Sequence, residues 1–172
     1  MAYRSLCADD LKMIEKYSDM VYKLSFSLTK NKYDADDIHQ EVFIRYLCKH
    51  PVFDGEEHEK AWFLRVTINL SKNLWKSAWR QNILEPFDTE ITAGQVAEFT
   101  IPGQEDSIID LVKSLPHKYK IVIHLFYYEE LSIEEIAKII KSKPSTVRTQ
   151  LTRARKKLET MIKEDNYAWN KI

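Results

Sequence analysis

Apolar residues recur every three to four positions along most of the chain, the period of an α-helix that buries one face. Leu11, Ile14, Val21, Leu24 and Leu28 form one such stripe. Ala35, Ile38, Val42 and Tyr46 form a second, opened by Asp34 as the expected N-cap with Asp37 three residues on. After a loop at Pro51 to Glu57, a third helix is expected from about Lys60 to Arg80. The periodicity lapses from Asn82 to Asp106, where Pro86, Thr89, Thr92, Gly94, Pro102 and Gly103 interrupt it. A structureless run of this length is unusual inside a compact domain, so it reads as a linker.

Periodicity resumes near Ser107. Ile108, Leu111, Val112 and Leu115 give a short stripe closed by Pro116, and the segment Tyr119 to Tyr127 offers Val122, Leu125 and Phe126 as core. Ser132 and Glu135 spell a capping box ahead of Ile133, Ile136, Ala137 and Ile140. A break at Lys141 to Lys143 leads to Pro144, which suits the first turn of a new helix whose buried stripe is Val147, Leu151, Ala154 and Leu158. The expected fold class is all-α. Two small helical domains, 1–81 and 107–165, are joined by a flexible acidic linker at 82–106, and a tail occupies 166–172.

Composition supports this. Only 3 of the 172 residues are glycine (Gly55, Gly94 and Gly103), all in expected loops, and 44% are hydrophobic, enough to argue against wholesale disorder. No apolar run approaches the roughly 20 residues that cross a bilayer, so no membrane insertion is expected. Asp9 and Asp10 fall where a signal peptide would need its apolar run. Cys7 and Cys48 suggest neither a disulfide framework nor a C-x-x-C site. A reduced, cytoplasmic protein is the expectation.

The zero net charge conceals an uneven distribution. The stretch 82–106 carries 6 acids and no base, whereas no acid occurs between Lys60 and Leu84 or between Ile136 and Leu158. Two locally basic surfaces on a neutral chain point to nucleic acid.

Two short helices joined by a tight turn, the second basic, are the pattern of a helix-turn-helix. With Val147, Leu151, Ala154 and Leu158 inward, Arg148, Thr149, Thr152 and Arg153 project outward. Arginine forks onto guanine O6 and N7, and threonine can contact a base or the thymine methyl. Lys141, Lys143, Arg155, Lys156 and Lys157 are placed to neutralise phosphates. A solvated cationic face is the bland alternative, and the capping box, break and proline start weigh against it.

On the earlier basic helix, Trp62, Phe63, Trp75 and Trp79 interleave with Arg65, Lys72, Lys76 and Arg80. Aromatics beside cations suit single-stranded DNA, whose bases stack while cations track the backbone. At least two of the three tryptophans are expected in the core instead. Asn69 has amide groups able to pair with the edge of an extruded base.

In this order the motifs resemble those of the extracytoplasmic-function (ECF) sigma factors, small two-domain bacterial transcription initiation factors. The resemblance rests on Asp34-Ala35-Asp36-Asp37-Ile38-His39-Gln40-Glu41-Val42-Phe43, then Trp62 with Asn69 and Asn73. It continues with Leu115-Pro116, Leu131-Ser132-Ile133-Glu134-Glu135-Ile136-Ala137 and Thr146-Val147-Arg148. It implies a region 2 helical bundle at 1–81 and a region 4 helix-turn-helix at 107–165. It further implies that Asp34, Asp36, Asp37, Gln40, Glu41 and Phe43 bind core RNA polymerase, Phe43 as the apolar anchor. The −10 element, melted to single strand, would meet the loop at Phe53 and the helix through Trp62, Arg65, Asn69, Lys72, Asn73, Lys76 and Arg80. The −35 duplex would meet Lys143, Ser145, Thr146, Arg148, Thr149, Thr152, Arg153 and Lys156. The acidic connector would thread through polymerase. Many family members are held inactive by an anti-sigma factor, which puts such a protein among the partners to test for. No catalytic residue, metal or cofactor is implied. Two departures stand out: Lys141 where the family's turn commonly has glycine, and Asp54 where a basic residue is frequent.

Two other classes deserve comparison. A helix-turn-helix regulator that is not a sigma factor would have no need of a strand-capturing helix. A metal-dependent all-α enzyme acting on pyrophosphates could place Mg²⁺ between Asp37 and Glu41, but needs a second convergent carboxylate set, and none is well placed.

Overall fold

The computed structural model describes residues 7–29, 31–84 and 107–169; side chains are described through Leu74 in the third helix, from Leu111 in the fourth and through Lys163 in the seventh. All regular structure among these residues is helical: α1 (Ala8–Leu28), α2 (Lys32–Lys49), α3 (Glu56–Leu84), α4 (Ser107–Ser114), α5 (His117–Tyr127), α6 (Ile133–Ile140) and α7 (Pro144–Trp169). The chain divides into two units, Met1–Ser71 and Lys72–Ile172. That division falls within α3, earlier than the break after Gln81 that periodicity suggests. Of the expected linker, 85–106 lies outside the described residues, and Asn82 to Leu84 continue α3.

In the first unit, the α1 and α2 stripes meet α3 in one aromatic-rich core. Tyr17 and Val21 face Ile38, Val42, Phe43 and Tyr46, and Phe63 closes the cluster. Phe63 is fully buried, its ring stacked on Tyr17 at 4.6 Å and tilted against Phe43 and Tyr46 at 5.6 and 5.5 Å. Leu11, expected in the α1 stripe, is 55% exposed; Tyr17 takes a buried place there instead. The cap of α2 also differs from expectation. Asn31 is the N-cap, its Oδ1 accepting from Asp34 N at 2.8 Å, so Asp34 sits inside the first turn. Asn31 wins because its side chain reaches the amide three residues on, which an Asp34 already in helical geometry cannot do.

Helix α3 starts four residues before the expected Lys60. Its first turn carries Glu56, Glu57 and Glu59, which suit the positive end of the helix dipole. The same acids tie α3 to α1: Tyr17 Oη donates to Glu59 Oε2 at 2.8 Å, and Lys16 Nζ bridges Glu56 and Glu59 at 3.0 Å each. Burial and the Glu59 carboxylate push the Tyr17 hydroxyl up to about 12.

In the second unit, α7 packs on α4, α5 and α6. Val122, Leu125, Ile136, Val147 and Ala154 are fully buried, while Phe126 and Leu158, also expected inside, are half-buried.

Candidate functional site

The helix-turn-helix is built by local chemistry at each joint. Ser132 N and Oγ donate to Glu135 Oε2 at 2.8 and 2.6 Å, and Glu135 N donates back to Ser132 Oγ at 3.2 Å, the reciprocal capping box. Lys141 ends α6 in the left-handed region, φ 54° and ψ 53°, where Ser142 N reaches Ala137 O at 2.9 Å. Pro144 then opens α7, whose first amide bonds run from Thr146 and Val147 to Lys143 O at 2.9 and 3.1 Å. Val147, Leu151 and Ala154 are at most 2% exposed. Their burial fixes the rotation of α7.

With that face inward, Lys143, Ser145, Thr146, Arg148, Thr149, Thr152, Arg153 and Lys156 are all exposed. Thr149 and Thr152 donate their hydroxyl protons to Ser145 O and Arg148 O at 3.0 Å each, leaving lone pairs and methyl groups to face outward. Such groups can accept from a base amine or touch a thymine methyl. Arg148 Nη2 lies 3.4 Å from Glu134 Oε1 on α6. Arg155, expected at phosphate, is exposed; it donates from Nε to Tyr127 Oη at 2.8 Å and rests 5.3 and 5.6 Å from the centres of the Phe126 and Tyr127 rings.

In the first unit, α2 presents Asp37 and Gln40 to solvent, with Asp34, Asp36 and Glu41 half-buried beside them. Glu41 accepts from Arg45 Nε at 2.7 Å, and Asp34 accepts from Asn31 Nδ2 at 2.9 Å. Phe43, expected as an outward anchor, is 7% exposed and belongs to the core. It follows Val42 and shares the buried face of Ile38 and Tyr46. The apolar residues that α2 turns outward are Tyr33, 82% exposed, and Ile44, 52% exposed and one turn from Gln40. Sequence reasoning missed both; extending the helical period from Asp37 and Gln40 would have found them.

The loop between α2 and α3 packs its aromatic residue back onto α3. Phe53 turns inward, edge-on to His58 and Trp62 at 5.6 and 5.9 Å, while Val52 is 92% exposed. His58 Nδ1 accepts from Asp54 N at 3.2 Å, and Gly55 takes φ 99°, open to glycine at little cost. Trp62 is half-buried against Phe63 and Tyr46. Arg65 is half-buried and Asn69 exposed one turn on; Lys72 is half-buried and Asn73 exposed further along α3. The helix runs through Lys76 and Arg80, whose side chains, with those of Trp75 and Trp79, lie outside the described residues.

A three-helix unit followed by a unit holding a capped, basic helix-turn-helix is an arrangement suited to binding DNA. Residues 13–81 match the family model described as Sigma-70 region 2, and 105–158 the one described as Sigma-70, region 4. The chain is 33% identical over 150 residues to the RNA polymerase sigma factor SigV of Bacillus subtilis, covering 84% of this chain and 86% of that one. It is 28% identical over 169 residues to the ECF RNA polymerase sigma factor SigW of the same organism, covering 88% of each. The fold is similar to that of the sigma factor RpoE solved in complex with the anti-sigma factor NepR from Bartonella quintana, with TM-score 0.71, 17% identity and coverage of 91% and 98%. It is also similar to CnrH in complex with the cytosolic domain of CnrY, with TM-score 0.65, 18% identity and coverage of 91% and 88%. The chain belongs to the ECF sigma factors, proteins that bind RNA polymerase and direct transcription initiation at promoters. Sigma factors are not enzymes. No helix among the described residues is long and apolar enough to cross a membrane.

Proposed function

We propose that this sigma factor acts in the cytoplasm by docking on core polymerase through α2, reading the −35 duplex with α7 and capturing melted −10 bases with α3 and the loop before it. The domains would be 1–81 and 107–165, with 82–106 crossing polymerase as an acidic connector and 166–172 as a tail. The observation that carries the reading is the outward face of α7: Arg148, Thr149, Thr152 and Arg153 are exposed opposite the buried Val147, Leu151 and Ala154. A helix so disposed enters the major groove with its polar face against base edges. On α2, the acids Asp36 and Asp37 with Gln40 suit a basic partner surface, and Ile44 supplies the apolar contact that Phe43 cannot. On α3, Asn69 is placed to receive an extruded base, with Arg65 and Lys72 along the strand. Binding energy spent on unpaired bases favours the open state over the duplex. The complex with the anti-sigma factor NepR formed by one fold relative supports an anti-sigma partner here as well.

Run-off transcription with core polymerase, this protein and a fragment library of its source genome tests the reading. Transcripts that require the protein, aligned upstream, should reveal both elements. Stable binding to core without any transcript would overturn it.

A further inference from the structure

Glu134 and Glu135 stand side by side in the first turn of α6 and serve different ends. Glu135 turns back to Ser132 and closes the capping box. Glu134 crosses to α7, where its Oε1 meets Arg148 Nη2 at 3.4 Å. The two side chains are 61% and 62% exposed, so the pair adds little to stability. Its consequence is electrostatic and local. No acid occurs between Ile136 and Leu158, and it is α6 that supplies the carboxylate Arg148 meets.

The role of Glu134 depends on α7 being the element that enters the −35 duplex. On that basis we propose that Glu134 is a positioning residue that sets specificity: it withholds Arg148 from phosphates and yields it to a base edge that takes both arms of the guanidinium. A phosphate contact is available on every sequence, and each one strengthens binding to wrong and right duplexes alike. A guanine in register offers O6 and N7 together, which a single carboxylate contact does not match in geometry. On the wrong sequence Arg148 stays with Glu134, and the complex lacks one phosphate contact. On the right sequence the fork is made and Glu134 is released.

The test uses the full chain assembled with core polymerase and two probes: a pool of random-sequence duplexes, and the duplex most enriched from that pool by the wild type. Glu134→Gln, Arg148→Ala and the double variant are titrated with both probes over a salt series. Glu134→Gln should bind the random pool more tightly, with a salt slope steeper by about 0.9, which over a fourfold range of salt is roughly a threefold effect. The ratio of enriched to random binding should fall. In the Arg148→Ala background, Glu134→Gln should change neither quantity. The same change in both backgrounds would overturn the proposal, because Glu134 would then act by its own charge on phosphate. No change in either background would overturn it as well. A wild type that enriches no duplex would overturn the promoter reading, and this proposal with it.

Discussion

Ser18 Oγ on α1 and His39 Nε2 on α2 lie 2.9 Å apart, a polar tie between two helices whose stripes share one apolar core. The ring also meets Tyr22 and Phe43 edge-on at 5.8 and 5.1 Å. Burial among these groups lowers the His39 pKa from its ordinary 6.5, against the opposing influence of Ser18 and Asp36.

The sign of the pH dependence follows. Because the folded value lies below 6.5, the unfolded chain takes up its proton first as pH falls, and acid favours unfolding. The effect is absent well above pH 6.5 and grows as pH falls toward the folded value. Urea midpoints measured from pH 7.5 down to pH 5.5 should drop more steeply in the wild type than in His39→Gln. Equal slopes would remove His39 from the linkage.

Adjacent positions on α2 should separate folding from partner binding. Phe43 is in the core, and Phe43→Ala is expected to cost about 3–5 kcal/mol of stability. Ile44 is 52% exposed, and Ile44→Ala should stay within about 0.5 kcal/mol of the wild type. Affinity for core polymerase should nevertheless fall by more than about 1 kcal/mol for Ile44→Ala if that residue anchors the interface. Titration with core measures it. Undiminished binding would move the apolar anchor elsewhere.

These two residues also show what was legible in the sequence. Period alone located most of the helical segments, and the capping box, proline start and outward Arg148 face all follow from local chemistry. Side-chain choice between neighbours was less legible. Phe43 and Ile44 are both apolar, and Phe53 and Val52 likewise. Which one turns inward depends on Phe63 and Trp62 arriving from α3, contacts of long sequence separation that a local period does not encode. The bond from Arg155 to Tyr127 on α5 was illegible for the same reason.

Lys141 holds a left-handed conformation that costs a residue with a Cβ roughly 1–2 kcal/mol. Glycine avoids that cost but loses more backbone entropy on folding, so Lys141→Gly should stabilise the second unit by roughly 0.5–1 kcal/mol. Denaturant unfolding measures the gain. The same variant removes a cation beside the proposed duplex, so its salt slope for DNA should not steepen. A loss of stability would mean that the Lys141 side chain contributes more at the turn than its backbone costs.

Asn69 is the sharpest test of strand capture. It is exposed on α3, next to Ile68, which is 1% exposed and holds the helix to the core. Asn69→Ala should leave the fold intact, because alanine is the better helix former at an exposed interior position. Affinity for core polymerase should also be unchanged, since Asn69 is not on α2. Open-complex formation should fall by about 1–3 kcal/mol if the amide pairs with the edge of an extruded base. Permanganate footprinting of the melted strand, on promoters recovered by run-off transcription, reads this directly. The deficit should persist on a template already mismatched across the bubble, because the lost contact is to the unpaired base and not to the duplex being opened. A deficit confined to fully paired templates would assign Asn69 to duplex contact instead, and strand opening equal to the wild type would remove it from the site.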